Sequence, residues 1–101
     1  MGIPALRESL LHTFLTDVRP RLERLGLAVT GRDPRRIEFE AHGLKGMCLT
    51  LGATTCAELF AELERMGREQ ALDLAPSLLK RAHLEVTLTE RYITTMERLA
   101  A

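Results

Sequence analysis

Apolar residues return every three or four positions through the first quarter of the chain, at Leu6, Leu10, Phe14, Val18, Leu22 and Leu25. That is the spacing of a helix buried along one side. Strict alternation of apolar and polar residues is missing, and β-branched residues are scattered, so no strand is expected. Pro4 sits near the start of this first segment, and Pro20 lies within it. A proline inside a helix removes a hydrogen bond and crowds the preceding turn, so the segment should kink or divide there. "GRDP" then ends it, and Asp33 followed by Pro34 marks a new start, an N-cap acceptor and then a proline in the first turn. A helix from about 34 to 51 should close at Gly52. Thr55 and Glu58 have the spacing of a capping box for a third helix ending around Gly67. Asp73 and Pro76 open a last long helix to about Leu99. Short connections between amphipathic helices favour an antiparallel up-and-down four-helix bundle, here with an additional N-terminal helical segment.

The second helix has two unlike faces. At about 100° per residue, Ile37, Ala41, Leu44, Cys48 and Leu51 form one stripe, flanked by Glu40 and Met47. His42, Lys45, Gly46 and Leu49 lie on the other side, with Glu38 one turn before the histidine. A glycine inside a helix costs roughly 1 kcal/mol relative to alanine, so Gly46, one turn beyond His42, marks a place where a side chain would be in the way. Lys45 can reach an anion attached to the ring. Histidine, open space and a cation together read as a nucleophilic imidazole that accepts a phosphoryl group, and exposed Leu49 beside it suits a docking patch. Gly43 lies beside the buried stripe and reads as a packing glycine. Glu38 and His42 share the four-residue spacing of helical metal ligands, but no second ligand pair is evident and no metal is assigned. His12 and His83 have no comparable setting and read as surface or boundary residues.

The totals narrow the class. The 101 residues suffice for one domain spanning 1–101, with 46% hydrophobic and 28% charged residues, a globular mix. Fourteen basic residues balance fourteen acidic ones, and there is no tryptophan, which argues against nucleic acid as a partner. Cys48 and Cys56 are too few for a disulfide framework and read as buried free thiols. No signal peptide and no run approaching the roughly 20 apolar residues of a membrane span is visible. The expected location is the cytoplasm.

"AHGLKGMCLTLGA" resembles the signature of histidine-containing phosphotransfer (HPt) domains: His-x-x-Lys-Gly, then a glycine after five intervening residues, then a small residue, here His42, Lys45, Gly46, Gly52 and Ala53. "CAELFAELERMGR" extends the likeness to residue 68. The resemblance implies that His42 is phosphorylated on Nε2, that Lys45 helps hold the phosphoryl group, and that Gly46 leaves room for the partner's active site. It implies that Glu64 hydrogen-bonds and orients the imidazole. Leu49, Glu38 and Arg68 are the expected docking residues. Such domains relay phosphoryl groups between the aspartates of response-regulator receiver domains, in some systems with a hybrid sensor kinase. They have no kinase or ATPase activity of their own, and the receiver supplies the Mg²⁺. A monomer is expected. Two other readings stay open. A sensor-kinase dimerisation and phosphoacceptor domain has an acidic residue directly after its histidine and a proline shortly beyond, whereas Gly43 follows His42 and the next proline is Pro76. A helical docking bundle with a vestigial histidine would take no phosphate.

Overall fold

The structure, a computed structural model, describes the backbone of residues 3–100 and the side chains of residues 7–100. It contains helices α1 (Ile3–Thr30), α2 (Pro34–Leu51), α3 (Thr54–Glu69) and α4 (Ala75–Ala100). The connections at 31–33, 52–53 and 70–74 are so short that each helix must run back along its predecessor. Helix α1 packs on α2, α2 on α3, α3 on α4 and α4 back on α1, with no diagonal pair in contact among the described residues. The result is the antiparallel up-and-down four-helix bundle expected from the sequence. None of the described helices is long and apolar enough to cross a membrane.

The core is drawn from one stripe of each helix: Phe14, Val18, Leu22 and Leu25; Ile37, Ala41, Leu44 and Cys48; Cys56, Phe60 and Leu63; Ala82, Val86 and Ile93. The cysteines are free and buried, as expected. Leu6 lies outside the described side chains, and Leu10 departs from the predicted stripe, being exposed. The N-terminal segment is the first part of α1. The helix neither stops nor divides at Pro20. The ring is exposed, as is Thr16, whose carbonyl loses its partner and can bond water. The fully buried Val18, Leu22 and Leu25 on the opposite side hold the helix in register across it. At mid-bundle, Arg19 ties α1 to α4 by hydrogen bonds to Glu90 and Thr87. Glu40, buried rather than merely flanking the stripe, is met by Arg24 of α1 at 3.4 Å.

Helix α2 begins and ends where the sequence places it. Asp33 is extended and its side chain accepts a hydrogen bond from the Arg36 N–H at 3.2 Å. Gly52 takes the left-handed conformation (φ 80°) that terminates the helix. Helix α3 differs. Its N-cap is Ala53, with no side-chain cap, and the proposed capping box at Thr55 and Glu58 does not form. The two-residue connection leaves no room for Thr55 outside the helix: Thr54 is already its first residue. Helix α3 ends at Glu69, two residues past the expected Gly67, with Gln70 in the left-handed conformation. Gly67 lies inside the helix, where the backbones of α2 and α3 come close together. A Cβ there would lie 2.6 Å from the Pro34 carbonyl oxygen and 2.7 Å from the Glu38 nitrogen. Helix α4 starts at Ala75, with Pro76 in its first turn and Asp73 two residues ahead, facing Arg32 at 3.7 Å.

Candidate functional site

Because α2 and α3 run antiparallel and touch backbone to backbone at Gly67 and Glu38, one turn forward on α2 meets one turn back on α3. That pairing sets Glu64 against His42 and Lys45. The Lys45 Nζ donates to Glu64 Oε1 at 2.6 Å, and His42 Nδ1 lies 2.8 Å from Glu64 Oε2. The Glu64 side chain is 11% exposed and the His42 side chain 70%. The carboxylate is therefore held inside and the ring projects outward.

Electrostatics fix the ring's tautomer. Burial by itself pushes the Glu64 carboxyl up. Hydrogen bonds from Lys45 and His42, with the charge of Lys45, outweigh it and hold Glu64 below its ordinary value. An ionised carboxylate only accepts hydrogen bonds, so His42 Nδ1 must carry the proton and donate it. In a neutral ring, Nε2 then holds the lone pair, on the exposed side. The cluster thus presents one outward-facing nitrogen nucleophile whose orientation is set by a buried anion.

The surroundings are open. A Cβ built on Gly46 would meet nothing within 4 Å, so the gap inferred from the sequence is real space. Leu49 is 61% exposed on the same face. Phe39, 71% exposed and three residues before His42, adds an apolar side chain that sequence reasoning missed. The helical spacing that found Leu49 would have found it too. Glu38 is half-buried near Gly67, and Arg68 is exposed; no hydrogen bond joins either to the His42 cluster. Gly43 makes room for α1, as expected, but for a side chain rather than for backbone: what lies over it is Arg21. His12 and His83 are exposed and take no part. No group of three potential metal ligands exists among the described residues. A cavity of about 570 Å³ between Leu10, Leu51, Leu88, Tyr92 and Ile93 does not include His42, Lys45 or Glu64 and has mostly apolar walls.

The family model described as "Hpt domain" matches residues 9–100. The crystal structure of histidine-containing phosphotransfer protein B from Pseudomonas aeruginosa PAO1 superposes with a TM-score of 0.86 at 29% identity, over 89% of this chain and 78% of that one. No match was found among curated protein sequences.

Proposed function

The chain belongs to the Hpt domain family, and from that premise we propose how it performs histidine phosphotransfer in a two-component relay: His42 is the acceptor, and it reacts through Nε2. One observation carries this assignment. The buried Glu64 accepts a hydrogen bond from Nδ1, with nitrogen and oxygen 2.8 Å apart, and leaves Nε2 free on a ring that is largely in solvent.

The chemistry asks little more of the protein. The Nε2 lone pair attacks the phosphorus of an aspartyl phosphate on a receiver domain. The N–P bond forms, the bond from phosphorus to the aspartate oxygen breaks, and the carboxylate leaves with the electron pair. The imidazole becomes cationic while Nδ1 keeps its proton, and the Glu64 carboxylate offsets that charge. Transfer of this kind depends on in-line positioning and charge stabilisation more than on a protein base. The Mg²⁺ that such transfers use belongs to the receiver. The chain acts as a single monomeric domain in the cytoplasm, with receivers and, where one exists, a hybrid kinase as partners.

The direct test is incubation with a panel of phosphorylated receivers, followed by mapping of acid-labile phosphate. Label on His42 is expected, and label absent from every pairing would refute the assignment. Gly46→Gln sharpens the test. The variant should be as stable as the parent or more so, because glycine is the poorer helix former. Its transfer should nevertheless slow sharply, since the new side chain fills the open space beside the ring. Unchanged kinetics in the folded variant would show that the gap has no role.

Docking should rest on the apolar side chains around His42. Burying Leu49 against a receiver is worth roughly 1.5–3 kcal/mol, the usual value for a leucine, or about one to two orders of magnitude in affinity. Leu49→Asp should therefore weaken receiver binding while moving the melting temperature little, because the side chain is already 61% exposed. A collapsed fold, or undiminished affinity, would refute the docking role.

A further inference from the structure

Three arginines on one stretch of α1 meet different fates. Arg19 is held by Glu90, and Arg24 by the buried Glu40. Arg21 is half-buried, and neither an ion pair nor a hydrogen bond joins its side chain to any described residue. Its guanidinium lies against α2 at Gly43, the residue after His42. A Cβ on Gly43 would be 2.6 Å from Arg21 Nη1 and 3.7 Å from Cζ. Any other residue at 43 would put a carbon where the guanidinium now sits. Glycine weakens the helix here, and a half-buried cation without an anion is itself unfavourable. Both costs make sense if the anion arrives only during function.

We propose that Arg21 is a second cation for the phosphoryl group on His42, approaching from the α1 side of α2 while Lys45 stands on the α3 side. The proposal rests on His42 being the acceptor. A phosphoryl group brings about −1.5 to −2 charges near neutral pH. Lys45 is already committed to Glu64 at 2.6 Å, and turning it to the phosphoryl group would strip a buried carboxylate of one of its two donors. Arg21 has no competing carboxylate. Its planar fork can offer two parallel N–H donors to phosphoryl oxygens, and its flexible stem lets it swing from Gly43 toward the ring one residue away.

The test needs no receiver. The protein is phosphorylated with phosphoramidate, and the phosphohistidine ³¹P resonance is followed across pH. A nearby cation favours the dianion. Removing it in Arg21→Gln should therefore raise the second ionisation of the phosphoryl group by about half a pH unit, a three-fold change of the order expected for a half-exposed charge pair. Arg21→Lys should fall between the two, and the difference should shrink in high salt. If Arg21 serves only to pack on α2, the melting temperature of Arg21→Gln will move and the phosphoryl titration will not, which would overturn the proposal. A wild-type protein that takes no label at His42 would overturn the proposed function itself, and this role with it.

Discussion

His42→Gln should abolish phosphotransfer and leave the bundle folded. The side chain is 70% exposed and belongs to no part of the core. What the substitution removes from stability is one hydrogen bond to Glu64, typically about 1 kcal/mol, and the glutamine amide can donate to the same carboxylate. What it removes from the chemistry is everything. An amide nitrogen has no free lone pair, and no other side chain in the cluster can take its place, because Lys45 is tied to Glu64. The exposed His12 and His83 serve as controls: replacing either should leave transfer intact. Phosphorylation by a receiver, read as acid-labile label in folded His42→Gln, checks the outcome. Label at the wild-type level would remove His42 from the mechanism.

Gly67→Ala should destabilise the protein by about 1–3 kcal/mol, the usual penalty for overpacking. The substitution would ordinarily gain up to roughly 1 kcal/mol in a helix interior. Here the new carbon would lie 2.6 Å from the Pro34 oxygen, 2.7 Å from the Glu38 nitrogen and 3.1 Å from its Cα, all backbone atoms that move only if α2 moves. Gly46→Ala is the matched control, since nothing lies within 4 Å of its Cβ position, and it should be neutral or stabilising. In a chain of this length, each kcal/mol corresponds to a change of about 4–8 °C in melting temperature, so opposite signs are easily read by denaturant or thermal unfolding. A Gly67→Ala protein as stable as its parent would show that the helices do not approach so closely. Where the variant folds, forcing α2 and α3 apart at this point should also lengthen the His42–Glu64 hydrogen bond one turn away and slow transfer.

The sequence made the chemical face of α2 legible because everything there is local. Asp33, Pro34 and Gly52 set the ends of the helix through bonds within a few residues, and a helical wheel then separates His42 from Ile37 and Leu44. The errors arose where contacts between helices override local preference. Pro20 looks like a break until Val18, Leu22 and Leu25 are seen buried around it. Gly67 looks like a helix end because the backbone of α2 that lies against it is about thirty positions earlier. That Gly43 makes room for α1 was legible, but which arginine covers it depends on the rotation of α1. Glu64 could be singled out only by family resemblance. Its value to the site comes from being carried to His42 and Lys45 by the antiparallel return of α3.

That return also has an entropic meaning. His42 and Glu64 are 22 residues apart, whereas the Arg19–Glu90 pair that joins the outer helices spans 71. Loop-closure cost grows with the logarithm of the span, so bringing the site's two halves together costs about 1 kcal/mol less chain entropy than closing α4 onto α1. The reactive cluster is thus held by the shorter closure, within one helical hairpin, while the longest closure lies between helices that carry neither His42 nor Glu64.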